Sequence, residues 1–478
     1  MNNENPQRML SLPSVGMKQH LHFIAIGGAA MHNLALALYE KGYIVTGSDD
    51  EINEPSRSRL LVAGLLPETT GWFPEKITNQ LDGVILGMHA RSDNPELIRA
   101  MEIGLRVYSY PEYLYEHSKD KTRVVIGGSH GKTTITSMVL HVLKALAIDF
   151  DFMVGAKLEG FSTMTRISQA PLIVLEGDEY LASPVDRRPK FHLYHASIGL
   201  ISGIAWDHIN VFPTFEGYCE QFKIFADGIP ADGALIYCNE DPEVKRIAES
   251  ASVKAKRIPY EIPAHSIVNG KTSLQTEVGD VPLQIFGDHN LMNLEGARLI
   301  CGQLNVSAES FYLHIQSFSG AARRLELLGS NLSVSVYKDF AHSPSKLKAT
   351  TDAVRQQFAS QKLIACMELH TFSSLNEEFL AQYEGSIDAA DEAIVYYNPH
   401  TIEHKKLKPL SIQMVLKAFA NDKIKVYTDS SQLQKDLLAM DARNSVFLLM
   451  SSGNFDGIVL EELATKLINQ TEITPSSL

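Results

Sequence analysis

The stretch Val124-Val125-Ile126-Gly127-Gly128-Ser129-His130-Gly131-Lys132-Thr133-Thr134 constrains this chain more than any other. A short β-branched run ends in glycines, and Gly131-Lys132-Thr133-Thr134 then opens the amphipathic segment 135–146. Strand, glycine loop and helix in that order set backbone N–H groups and a helix N-terminus around a phosphate group. In that arrangement Lys132 reaches the β- and γ-phosphates and the Thr133 hydroxyl faces Mg2+. The loop is a shortened form of the G-x-x-x-x-G-K-[ST] pattern, with Ile126 where the first glycine would stand. A nucleoside triphosphate is the expected ligand, and an open α/β sheet the expected frame.

The 478 residues are enough for two or three domains, each with its own core. Hydrophobic residues at 45% and charged residues at 21% describe a globular chain. A net charge of −13 argues against nucleic acid or an anionic membrane as partner, while leaving room for phosphate held locally by N–H groups and one lysine. Four cysteines (Cys219, Cys238, Cys301, Cys366) show no metal-type spacing and read as reduced core residues. Residues 1–19 lack the apolar centre of a signal peptide, and no uncharged run reaches the roughly 18 residues of a membrane span. A cytoplasmic protein without membrane insertion, monomer or homodimer, is expected.

Apolar runs separated by amphipathic segments divide the chain into three α/β blocks, expected at 20–118, 119–322 and 323–478. In the first, a buried strand at 21–27, small residues Gly28-Ala29-Ala30, a helix at 31–40 and a strand at 43–47 ending in Ser48-Asp49 form a βαβ unit. An acid after the second strand resembles a dinucleotide-binding half, yet Ala25, Gly27 and Ala30 occupy the three glycine positions of its fingerprint, so NAD is not indicated. Further strands fit 83–86 and 105–108, and the turn holding His89 and Ala90 falls where open sheets bind ligands. In the second block strands fit 124–126, 172–175, 198–204 and 234–237, followed by a small antiparallel addition within 253–285 and a helix at 291–304. In the third, strands at 333–337, 363–367, 392–397, 424–427 and 445–450 alternate with helical patterns, which predicts a second doubly wound sheet.

Around the phosphate loop, other residue types suit the same chemistry. Glu176-Gly177-Asp178-Glu179 ends an apolar strand, and carboxylates there suit Mg2+, which prefers oxygen. Composition alone does not assign His208, in Trp206-Asp207-His208-Ile209-Asn210, to that ion. Asp288-His289-Asn290 opens a helix, where Asp288 or Asn290 is either an N-cap or, for the asparagine, a reader of adenine's edge. Arg324 suits phosphate oxygens and Asp339 ribose hydroxyls; each is equally compatible with a surface charge.

Taken in order, these motifs resemble those of the Mur ligase family, over residues 22–458. Gly128-Ser129-His130-Gly131-Lys132-Thr133-Thr134 is similar to the family's GT(H/N)GKTT loop, His289-Asn290-x-x-Asn293 to its HNxxN, and Asp339 to the Asp of its DYxHxP motif. The resemblance implies three domains: a Rossmann-like UDP-sugar domain, a central P-loop ATPase and a Rossmann-like C-terminal domain. It implies Lys132, Glu176 and His208 as catalytic residues, with Thr133, Glu176 and His208 around Mg2+. Gly128 to Thr134, His289, Asn290, Asn293, Arg324 and Asp339 would hold ATP. Gly27, Gly28, Ala29, Ala30, Met31, Ser48, Asp49, His89 and Ala90 would meet the UDP-sugar.

Ile26 to Met31 and Gly47-Ser48-Asp49 resemble the branch whose substrate is UDP-N-acetylmuramate itself. One group there adds L-alanine and another adds a murein tripeptide. Asp178-Glu179-Tyr180, Asp186 to Phe191 and Met450 to Ile458 resemble the tripeptide group. Asp93 to Glu96 and Glu368 to Ser373 stand nearer the alanine group, although the latter loop lacks the arginine of both. A murein peptide is the favoured amine, L-alanine the alternative, with His342 and His370 facing it. The reaction implied is ATP-dependent amide formation through an acyl phosphate.

Overall fold

The computed structural model describes residues 19–158, 160–206, 211–268, 270–320, 324–421 and 423–471. It resolves into two compact units. Of the described residues, the first comprises 19–120 with Thr165–Gln169 and Leu181–Leu193; the second comprises those of Lys121–Met164, Ala170–Tyr180 and 194–471.

The first unit carries a four-stranded parallel sheet in the spatial order Ile44–Ser48, His20–Ile24, Gly83–Leu86, Val107–Ser109. The helix Ala29–Glu40 follows the first strand and buries Met31, Leu34, Ala35 and Leu38. The expected strand at 21–27 stops at Ile24, because Ala25 turns to φ +66° and both Ala25 and Ile26 donate their N–H to the carbonyl of Ser48.

In the second unit, parallel strands run in the order Lys256–Tyr260, Ala234–Cys238, Ile198–Ile201, Thr122–Gly127, Leu172–Glu176, Asp151–Met153. The phosphate-loop strand thus lies inside the sheet, where an apolar run buried on both faces belongs. Its helix, Lys132–Ala145, buries Ile135, Met138, Val139, Val142 and Leu143 and packs on the helix Asp288–Gln303. At about 1.5–3 kcal/mol for each large apolar side chain buried, this face anchors the loop to the sheet. Two expectations change here. The strand expected to run to 204 ends at Ile201, releasing Ser202 and Gly203 to bond the loop instead. The antiparallel addition is confined to His265–Val268, Lys271–Thr276 and Gly279–Pro282, since Lys256–Tyr260 extends the parallel sheet.

A six-stranded sheet follows in the order Glu326–Ser330, Val334–Asp339, Ser445–Met450, Lys362–Leu369, Glu392–Tyr397, Lys425–Tyr427. Along Lys362–Leu369, Leu363, Ala365 and Met367 enter one apolar cluster and Ile364 and Cys366 another, so helices cover both faces. The first strand is antiparallel, joins its neighbour through a register shift at Leu327/Gly329 and was not expected. All four cysteines are buried and unpaired. Among the described residues no helix is long and apolar enough to cross a membrane.

Candidate active site

The phosphate loop owes its shape to two glycines. Gly128 has φ +130°, and a Cβ there would lie 2.1 Å from Ser202 Oγ; Gly131 has φ +79°, with Asn293 Oδ1 only 2.3 Å from such an atom. Side chains are excluded at both, so the backbone closes tightly around the space before helix Lys132–Ala145. The released strand end completes it: Ser129 N donates to Gly203 O at 2.9 Å and Ser202 N to Gly127 O at 3.1 Å. Gly203 also makes room for His130, whose ring would stand 2.4 Å from a Cβ at 203.

A cavity of about 680 Å³ opens over this loop. Every residue expected to hold ATP lines it except Gly128: Ser129 to Thr134 of the loop, with His289, Asn290, Asn293, Arg324 and Asp339, of which Asn293 stands directly against Gly131. Several of these side chains act on the protein itself. Asp339 accepts from Leu325 N at 2.6 Å, Ala341 N at 2.7 Å and Thr350 Oγ1 at 3.3 Å, so both its oxygens brace the backbone. Asn290 Nδ2 donates to Phe286 O at 3.0 Å. Arg324 stacks over Phe340 with its guanidinium 4.9 Å from the ring centre. His289 differs: its Nδ1 is buried with no hydrogen-bond partner among the described residues. That nitrogen carries essentially no exposed surface, so a ligand in the cavity does not reach it in this structure.

Charge is arranged along the floor. Lys132 Nζ lies 2.6 Å from Glu179 Oε2 and 2.6 Å from Gly128 O. Burial pulls the ammonium pKa down, but the carboxylates of Glu179, Asp178 and Glu176 outweigh it and hold the pKa above its ordinary value. Thr133 Oγ1 donates to Glu176 Oε1 at 2.8 Å, and Gly155 N to Oε2 at 2.8 Å. A threonine hydroxyl against a carboxylate at a strand's carboxyl end is an all-oxygen pair of the kind Mg2+ takes. Among the described residues no cluster of three His, Cys, Asp or Glu side chains stands ready for a metal. His208, expected as the third contact, lies outside the described residues. Burial, then the nearby Lys346 charge, pushes the His130 imidazole down to about 4, leaving it neutral at pH 7.

A second cavity, about 430 Å³, shares Ser129, His130, Ser345 and Lys346 with the first. Its walls include Tyr180, Trp206, His342, Thr371, Phe372 and Gln382. Of the two residues expected to face the amine, His342 lines this cavity. His370 does not line this cavity; its Nδ1 lies 3.6 Å from the buried Glu368. Glu368 also accepts from Ser451 Oγ and, at 2.9 Å, from Phe455 N.

Of the sugar candidates, Gly27 to Met31 form the turn and helix start after the first strand, Ser48 and Asp49 end the second, and His89 and Ala90 follow the third. Gly27 N donates to Asp49 Oδ2 at 2.7 Å, so this acid closes the turn, and burial raises its pKa. Met31, Ser48 and Ala90 are buried, Ser48 completely and with its carbonyl already bonded to Ala25 N and Ile26 N, whereas Ala29, Ala30 and His89 are exposed. Gly28 accepts through its carbonyl from His32. Sequence reasoning offered Glu179 only as one of the carboxylates suited to Mg2+, whereas in the structure it pairs with Lys132, and it assigned no role to Tyr218 or Lys346. Tyr218 carried no signal at all, since it lies within an ordinary amphipathic helix, Phe215–Asp227.

Residues 20–122, 126–301 and 323–453 match, respectively, the Mur ligase catalytic domain, the Mur ligase middle domain and the Mur ligase glutamate ligase domain. A UDP-N-acetylmuramate--L-alanine ligase of Arthrobacter sp. (strain FB24) is 31% identical over 80% of this chain and 82% of its own length. One from Renibacterium salmoninarum is 27% identical over 93% and 96%. Among solved structures, MurC of Thermotoga maritima superimposes with a TM-score of 0.68 at 19% identity, covering 94% of this chain and 98% of its own. A murein peptide ligase from Psychrobacter arcticus 273-4 gives 0.62 at 23%, covering 94% and 99%. These two likenesses concern the fold.

Proposed function

The chain belongs to the Mur ligase family of ATP-dependent ligases, and we propose that it joins a murein peptide to the lactyl carboxylate of UDP-N-acetylmuramate. In this reading ATP phosphorylates the carboxylate, the amine attacks the acyl phosphate, and phosphate leaves as the amide forms. Lys132 and the N–H groups of the loop bind the triphosphate and meet charge as it develops, which is most of what a protein does in phosphoryl transfer. Bound Mg2+, held by Thr133 and Glu176 with His208, would neutralise charge on the β- and γ-phosphates. Asn290, Asn293 and Arg324 face the nucleotide, and Asp339 supports them. The sugar is assigned to the first unit, around Gly27 and Asp49, and three functional domains are assigned to 20–118, 119–322 and 323–478.

The observation that carries the reading is the second cavity. It adjoins the phosphate loop through Ser129 and His130, as an acyl acceptor must, and has far more room than the methyl side chain of alanine fills. The alternative, L-alanine as the amine, is favoured by the names of the relatives reported above. Phosphate release with ATP, Mg2+ and UDP-N-acetylmuramate decides between them. Turnover that depends on L-Ala-γ-D-Glu-meso-diaminopimelate supports the peptide; turnover with L-alanine alone refutes it.

A further inference from the structure

The cation of the phosphate loop already has a partner, and that partner is buried in a chain of hydrogen bonds with a fixed direction. The Glu179 side chain is 1% exposed and its carboxylate can only accept. Tyr218 OH therefore donates to Glu179 Oε1, at 3.0 Å, and must itself accept from Ser129 Oγ, 2.8 Å away. Ser129 Oγ in turn accepts from Ala205 N at 2.9 Å. The series Ala205, Ser129, Tyr218, Glu179, Lys132 thus runs from the backbone through the phosphate loop and back to its lysine. Tyr218 is fully buried, with its ring edge-on to Phe222 and tilted against Phe212, so its hydroxyl is held in place by packing. At the far end Lys132 Nζ rests on Gly128 O, within the loop that receives phosphate.

We propose that Glu179 is a counter-ion which competes with the nucleotide's phosphates for Lys132, and that Tyr218 sets the strength of its hold. Both are positioning residues, acting through Lys132. A phosphate entering the loop draws the ammonium away from a carboxylate that remains fixed by Tyr218. Each donor that Glu179 retains lessens its demand on Lys132, so the tyrosine hydroxyl lowers the cost of that transfer. The inference rests on the nucleotide reading of the loop and not on which amine or sugar is joined.

The test is calorimetric titration of the full chain, with Mg2+, using a non-hydrolysable ATP analogue. Glu179→Gln should tighten binding about fivefold, the low end of ordinary coupling between sites. Tyr218→Phe keeps the ring and should weaken binding about threefold, as Glu179 turns its unmet demand onto Lys132. The double variant should match Glu179→Gln. In a Lys132→Met background each change should move affinity by less than about twofold, because its route is gone. Unchanged or weaker binding by Glu179→Gln overturns the proposal, as does an effect that survives in Lys132→Met. Should Tyr218→Phe fail to fold, Glu179→Gln with and without Lys132 still decides. Wild-type protein that binds the analogue but turns over no amine refutes the ligase reading and leaves this one standing; wild-type protein that does not bind it refutes this one.

Discussion

Replacing Asp339 separates two roles that a nucleotide-site carboxylate can have. In the structure Oδ2 accepts from Leu325 N at 2.6 Å and Oδ1 from Ala341 N at 2.7 Å, and the residue is 9% exposed. Leu325 follows Arg324 and adopts φ +45°, so the carboxylate holds the strained residue beside the guanidinium. Asp339→Asn keeps one acceptor and turns an NH2 toward a backbone donor, at a cost of about 1.5–3 kcal/mol for one lost hydrogen bond to a charged group. Asp339→Ala strands both N–H groups, about 3–6 kcal/mol on the same scale. Chemical denaturation should therefore rank wild type above Asn above Ala, and calorimetry should show nucleotide affinity falling in the same order as Arg324 loses its support. If both variants weaken nucleotide binding equally while unfolding is unchanged, Asp339 acts on the ligand directly and the bracing argument is wrong.

Lys132→Ala should abolish ATP-dependent turnover while UDP-sugar binding, followed by calorimetry, persists, because the sugar candidates belong to the other unit. Gly203→Ala puts a Cβ 2.4 Å from the His130 ring, which must shift where it lines both cavities; kcat/KM should fall about 10- to 100-fold with the melting temperature little changed. Burial alone would raise the Glu368 carboxyl pKa, but the nearby His370 imidazole and hydrogen bonds from Ser451 and Phe455 outweigh it and hold the value below the ordinary carboxylate range. The folded-state pKa is thus depressed, so the stability it adds is present above the unfolded-state value and is lost as pH falls through the folded one. Glu368→Gln should flatten that acid limb in denaturation curves measured from neutral pH downward.

What could be read in the sequence was local, and what could not was held across distance. Glycines at 128 and 131, a lysine and a threonine act within a single turn, so their order alone announces a phosphate site; the same holds for the parallel sheets, whose strands are continuous apolar runs. The antiparallel strand Glu326–Ser330 escaped because a bulge at Leu327/Gly329 breaks the alternation by which a strand is recognised. The strand Asp151–Met153 spans three residues, too few for any period. The roles of side chains were harder still. Asp339 and Asn290 are polar residues at the expected positions, but their bonds go to Leu325, Ala341 and Phe286, which depends on backbone folded beside them. Lys132 and Glu179 lie 47 residues apart, and Ser129 and Tyr218 lie 89 apart. A motif specifies which groups can meet a phosphate; only the packing of Phe215–Asp227 against the loop specifies what those groups meet when no phosphate is there. The affinity of such a site is a difference between those two states, so the residues that set it include some that never touch the ligand.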